Sequence, residues 1–160
     1  MTELAPTLPR VTSVLRAQDA SGTIAPADTV DLSYEDRCRR RVRMTTRGGR
    51  AFLLDLPKVT ELSAGDYLPL DTGEHITVAA ADEALMEAVP TDLSALPRLA
   101  WHVGNRHLPT EIRSDRLVLR YDHVIEQMLI GLGSQVFRST GPFTPMGGAY
   151  GQGRTHGHSH

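Results

Sequence analysis

The sequence predicts an α+β protein: a small all-β N-terminal domain (barrel or sandwich), a ferredoxin-like βαββαβ domain, and a flexible His-containing tail. Three observations predict it. Between Pro9 and about Ala80, short alternating apolar runs are separated by turn residues, the pattern of an all-β module. Beyond Ala80, two stretches switch to a helical apolar period between strand-like runs, in the order β-α-β-β-α-β. From Ser139 to His160, glycine, proline and histidine dominate, and too few apolar residues remain to fold alone. The expected divisions are therefore 1–80, 81–138 and 139–160.

In the first domain, Val11 to Leu15 is the first expected strand and Thr29 to Leu32 the second. Arg37 to Thr46 is a longer one, reversed by Gly48-Gly49 into Ala51 to Leu56, since a Gly-Gly pair between two β-like runs marks a hairpin. Asp66 to Leu68 and His75 to Val78 complete it around the turn Asp71 to Glu74. In the second domain, Leu85 to Val89 reads as a strand. A helix follows between Asp92 and Val103, with Leu96, Leu99, Ala100 and Val103 on one face. Pro97 fits it if Ser94 is the N-cap and the proline falls in the first turn, where its missing donor costs nothing. Gly104 or Asn105 is expected to take the left-handed conformation that closes the helix. Glu111 to Arg113 and Arg116 to Leu119 are strands around Ser114-Asp115. Tyr121, Val124, Ile125, Met128, Leu129 and Leu132 then define a second helix, capped by Asp122 and ended by Gly133. Gln135 to Phe137 is the last strand.

The totals exclude several classes. A net charge of −2 over 160 residues gives no global field towards nucleic acid or membrane. A single cysteine, Cys38, rules out an internal disulfide and fits a reducing compartment. Met1 to Pro9 lacks the apolar run of a signal peptide, and no stretch approaches the roughly 20 apolar residues that span a bilayer. The expected location is the cytoplasm.

Chemistry-bearing residues concentrate in histidines. His156, His158 and His160 alternate with Gly157 and Ser159, so their rings can converge on one cation such as nickel, copper or zinc; the bland alternative is a solvated tail or a tag fragment. His107 falls in the short turn between the first helix and Pro109, at the negative end of the helix dipole, where a cation is favoured. His123 lies opposite the apolar stripe of the second helix, beside Glu126 and Gln127, exposed and able to bind metal or simply to be solvated. His102, next to an apolar stripe, reads as a hydrogen-bonded core histidine, and His75 as structural or solvated.

The run Arg37, Arg39, Arg40, Arg41, Arg43 suggests nucleic acid, but alternation places Arg37, Arg39, Arg41 and Arg43 on one strand face with no aromatic platform for bases. An acidic protein partner fits that face at least as well. Catalytic signals are thin: there is no phosphate loop, no GxSxG elbow and no HExxH helix. Asp122-His123 points its two side chains about 100° apart on a helix, and no carboxylate base accompanies a metal site as a hydrolase would need.

Assembled, the chain resembles the UreE family of urease accessory proteins. The likeness rests on Leu32 with Asp36-Arg37 and Arg39-Arg40-Arg41-Val42-Arg43, on Leu54 with Leu56-Pro57, on Gly65-Asp66 and on Val78-Ala79-Ala80. Its most specific part is Trp101-His102-Val103-Gly104-Asn105-Arg106-His107, followed by Asp122-His123-Val124, Pro142-Phe143 and Gly148-Ala149-Tyr150.

The resemblance implies a homodimer formed through the C-terminal domains, with His107 of each chain meeting its symmetry mate across an isologous interface. It implies that the tail, through His156, His158 or His160, completes the coordination of Ni2+, with Zn2+ or Cu2+ competing. His123 matches a secondary metal position of some members, although Tyr121 stands where some relatives have another histidine. The implied role is a nickel metallochaperone without catalytic activity, delivering Ni2+ to the urease-accessory GTPase and the urease apoprotein. The alternative is a protein- or RNA-binding adaptor that uses the arginine strand, with incidental metal affinity in the tail.

Overall fold

A computed structural model of the chain describes residues 7–147. The chain divides into two compact units between Ala80 and Ala81. Strands prevail over helices in both, an α+β architecture.

The first unit contains β1 (Arg10–Val11), β2 (Asp28–Leu32), β3 (Cys38–Thr45), β4 (Ala51–Glu61), β5 (Tyr67–Pro69) and β6 (His75–Ala80). They form two three-stranded sheets, β1-β4-β3 and β2-β6-β5, and among the described residues no closed barrel. Alternation explains the burial: Phe52, Leu54 and Leu56 of β4 point inward with Met44, against Val30, Leu32, Ile76, Val78 and Leu68 of the other sheet, in one apolar cluster. The first strand is shorter than Val11 to Leu15, because this segment changes partners. Arg10 and Val11 pair in parallel with Leu53 and Leu54, whereas Leu15 bridges to Tyr67.

The β3–β4 hairpin turns at Gly48-Gly49, with Gly49 at φ 85°. Gly48 is required for a different reason. Asp28 packs against its backbone, accepting from Gly48 N–H (3.2 Å), the Thr46 hydroxyl (2.6 Å) and Thr29 N–H (2.7 Å). A Cβ at Gly48 would lie 2.6 Å from the Asp28 Oδ2. The Thr46 hydroxyl, followed by the Thr29 amide, holds the Asp28 carboxyl below its usual range.

The arginine strand departs from simple alternation. Arg37 precedes β3 and is buried; its guanidinium donates to Leu32 O and lies 5.8 Å over the Tyr34 ring. The register then slips between Arg39 and Arg41, where residues 56–59 of β4 stand against Arg40 alone. Pro57 lacks the N–H that a continuous ladder needs, which accounts for the irregularity. Arg39 pairs with Asp36 at 2.6 Å and Arg41 with Asp55 at 3.7 Å, so the run is not a row of parallel free cations.

The second unit runs β7 (Asp82–Pro90), α1 (Leu96–Asn105), β8 (Glu111–Ile112), β9 (Leu117–Arg120), α2 (His123–Gly131) and β10 (Ser134–Pro142). Its sheet has the order β10-β7-β9-β8 with every neighbour antiparallel. Met86, Ala88, Leu117 and Leu119 meet Leu99 and Val103 of α1 and Leu129 of α2 in a second cluster. A single 3-10 turn, Leu93–Ala95, leads into α1; its cap is Asp92, whose carboxylate accepts from Ser94 N–H, rather than Ser94 itself. Pro97 sits in the first turn of α1. Asp122 caps α2 by accepting from Val124 and Ile125 N–H, and Gly133 follows it at φ 92°.

Two expectations change here. Val124 is 61% exposed rather than part of the apolar stripe, while Glu126 is buried, held by Arg138 at 3.1 Å and by the Tyr121 hydroxyl. The last strand has nine residues, paired throughout with β7 from Ser134↔Pro90 to Pro142↔Asp82. The chain therefore stays in the sheet four residues beyond the expected end of the domain at 138. As an edge strand, β10 accommodates Gly141 and Pro142, whose composition reads as loop. Among the described residues no helix is long and apolar enough to cross a membrane.

Candidate metal centre

The α1–β8 turn is built around His107. The helix does not close on Gly104 or Asn105, as its composition suggests. Both remain helical, Arg106 is the C-cap, and His107 itself takes the left-handed conformation at φ 56°. His107 N–H bonds Gly104 O at 3.0 Å and Leu108 N–H bonds Val103 O at 3.2 Å. This pair of bonds is the Schellman closure, with His107 at the position that glycine usually fills. Leu108 completes it by packing on the cluster that contains Val103.

Among the described residues His107 is the one non-glycine with positive φ. Left-handed backbone costs an L-residue about 1 kcal/mol or more, so a histidine here accepts a local penalty that glycine would avoid. Backbone in a disfavoured region points to function when the side chain has no structural task. His107 is exposed, at the carbonyl end of α1, with its imidazole accessible to a cation. Leu108 and Pro109 lead from it into a cleft of about 350 Å³ that also involves Tyr121, Asp122 and Ile125.

Neighbouring groups have other tasks. His102 is half-buried and meets the Trp101 ring edge-on at 5.1 Å. Trp101 is itself 63% exposed on α1. His75 is half-buried near Tyr67 in the first unit. His123 is exposed at the start of α2. Tyr121 is committed: its ring lies 4.4 Å from the Arg138 guanidinium and its hydroxyl bonds Glu126. That leaves His123 without help from position 121. The Glu126 carboxyl is held below its usual range, chiefly by the hydrogen bond from Arg138.

The described residues contain no group of three or more His, Cys, Asp or Glu side chains arranged to hold a metal ion. His107 and His123 are not gathered into such a cluster, and His156, His158 and His160 lie outside the described residues. Sequence reasoning assigned the segment after β10 to the flexible tail, and the structure corrects this for residues 143–146. Phe143 is fully buried, Thr144 N–H bonds the Glu111 carboxylate at 2.7 Å, and Met146 N–H bonds Thr110 O at 3.0 Å. Its sequence signal was the Pro142-Phe143 pair of the family likeness.

Comparisons with known proteins cover nearly the whole chain. Residues 11–81 match the family described as UreE urease accessory protein, N-terminal domain, and residues 83–160 match its C-terminal domain. The chain is 50% identical over 133 residues to the urease accessory protein UreE of Ruegeria pomeroyi, covering 83% of this chain and 87% of that protein. It is 48% identical over 145 residues to the protein of that name from Rhodobacter capsulatus, covering 91% and 90%. The corresponding figures for Cereibacter sphaeroides are 44% over 153 residues, 96% and 81%.

Proposed function

The chain belongs to the UreE family of urease accessory proteins, and from that premise we propose that it carries Ni2+ to the urease maturation machinery. It is an accessory chaperone, not an enzyme. The observation that supports the carrier role best is His107, an exposed imidazole held on a left-handed turn where glycine would be cheaper. At the finer level of fold, the first unit is read as a β-sandwich. The second is read as ferredoxin-like, in keeping with its order β10-β7-β9-β8.

The working form is a cytoplasmic homodimer in which two copies of His107 face each other. One residue type then supplies two ligands, a consequence of isologous symmetry. Trp101 on α1, 63% exposed, is a large apolar side chain suited to contact with a second copy. His156, His158 or His160 completes the coordination, and His123 provides a secondary, weaker contact.

Such a site suits transfer rather than storage. Neutral imidazole is a good ligand for nickel, but copper binds more tightly in the Irving–Williams order and zinc competes. Selectivity therefore has to come from geometry and from the recipient. A fixed pair of histidines joined by ligands from the tail lets a recipient exchange ligands one at a time. The recipients are the urease-accessory GTPase and, through it, the urease apoprotein. The adaptor reading loses ground because Arg37 is buried and Arg39 and Arg41 are paired.

Calorimetric titration of Ni2+ into wild type and His107→Ala at neutral pH tests the proposal. Loss of the tight site in the variant is expected; unchanged tight binding overturns it.

A further inference from the structure

The outer face of the sheet β1-β4-β3 carries charge that the chain does not balance. Val11, Met44, Phe52 and Leu54 point into the core, so alternation sends Arg10, Arg41, Arg43, Leu53 and Asp55 to the other face. The register sets these five side by side. Arg10 and Arg43 flank Leu53 in one lateral row, and Arg41 stands opposite Asp55 in the next. Two strand spacings separate Arg10 from Arg43, about 10 Å, and two residues of β3 separate Arg41 from Arg43, about 7 Å. Asp55 is the shared counter-ion, 3.0 Å from Arg10 and 3.7 Å from Arg41. Arg43 is exposed and, among the described residues, makes no ion pair. Three guanidiniums therefore share one carboxylate, a local surplus of two positive charges on a chain whose net charge is −2.

We propose that this face docks an acidic surface of the protein that receives the nickel, a step that rests on the carrier reading above. Guanidinium is suited to it, because its planar fork pairs a carboxylate through two N–H groups. Arg10 offers Asp55 a single nitrogen, Nη1, and its side chain stays 48% exposed, that of Arg41 64%. Both keep donors for a partner, as does Arg43. Leu53, half-buried between Arg10 and Arg43, adds an apolar centre to the charged rim. Two other occupants fit less well. A second copy would set the same surplus charge against itself in an isologous contact. Nucleic acid draws its affinity from many neutralised phosphates, and a surplus of two gives a salt slope of only about −2. No aromatic ring stands in either row to stack a base.

The test measures association of the full-length, nickel-loaded protein with the urease-accessory GTPase. In wild type the rate should fall steeply as salt rises from about 0.01 to 1 M, where the Debye length shrinks from about 30 to about 3 Å. Arg41→Glu with Arg43→Glu turns the surplus of two charges into a deficit of two. It is expected to slow association about tenfold or more at the low-salt end, with Ni2+ affinity unchanged. Arg43→Glu alone, which breaks no ion pair among the described residues, carries the test if the double variant does not fold. Asp55→Asn raises the surplus and should speed association, a change of sign that lost stability cannot imitate. Association independent of salt and of these substitutions overturns the proposal. So does an equal slowing by Arg113→Glu, which alters the net charge as much as Arg43→Glu but lies in the second unit. An RNA gel shift lost in Arg43→Glu while GTPase binding persists overturns it too. Failure of the carrier reading shows separately, as a His107→Ala variant that still binds nickel tightly.

Discussion

Replacing His107 by glycine separates stability from function. At φ 56° the histidine backbone carries a penalty of about 1 kcal/mol relative to glycine. The side chain is exposed, so its removal forfeits little packing, and both closing bonds, to Gly104 O and Val103 O, are made by backbone amides that survive the change. Metal-free His107→Gly is therefore expected to be more stable by about 1 kcal/mol, which for a unit of this size raises Tm by roughly 4–8 °C. His107→Ala keeps the penalty and gains nothing comparable. Both variants lose the same two ligands of the shared site, one from each chain. A four-ligand site contributing about 10–16 kcal/mol corresponds to about 3 kcal/mol per ligand, so nickel affinity falls on the order of ten-thousandfold. Calorimetry in chelator gives the stability order, because bound metal would stabilise wild type by mass action. A glycine variant no more stable than the alanine variant refutes the backbone argument.

Further outcomes follow from the same geometry. Gly48→Ala places a methyl group 2.6 Å from Asp28 Oδ2 and is expected to destabilise the first unit by about 1–3 kcal/mol in urea titration. Trp101→Glu should yield monomers in sedimentation with unchanged circular dichroism. Truncation after Gly153 removes all three tail histidines and should reduce nickel affinity or capacity while leaving the dimer intact. Nickel binding should weaken as pH falls, because protons compete with the metal for the imidazole nitrogens. The Glu126–Arg138 pair has its own acid limit. Because the folded-state pKa of Glu126 is lowered, its contribution is complete above the ordinary glutamate value of about 4.3 and is lost as pH falls through the lower folded value. Arg138→Ala should remove this part of the acid unfolding profile.

What was legible in the sequence had a local cause. The apolar spacing of Leu96, Leu99, Ala100 and Val103 placed α1 on the core, and Asp122 announced the start of α2 because a short carboxylate there satisfies two free amides. Gly-Gly likewise marked the β3–β4 turn. The departures have non-local causes. β10 continues through Arg138 to Pro142 because β7 offers nine partners, which no local pattern records. Arg37 leaves the arginine face because Leu32 O and the Tyr34 ring receive it. The position of the left-handed residue was misplaced by two or three residues because glycine and asparagine are the usual occupants, and the chain uses neither. His107 was legible as a ligand candidate; its conformation, which strengthens the case, was not.

The central claim is that two copies of His107 share one nickel ion. Diffraction from crystals of the nickel-loaded protein, with anomalous data collected at the nickel edge, tests it most directly. The account predicts one strong peak on a two-fold axis with an imidazole nitrogen of each His107 about 2.0–2.1 Å away, a distance taken from histidine–zinc bonds. A fully loaded protein whose nickel lies elsewhere, with the two His107 side chains far apart, would contradict it.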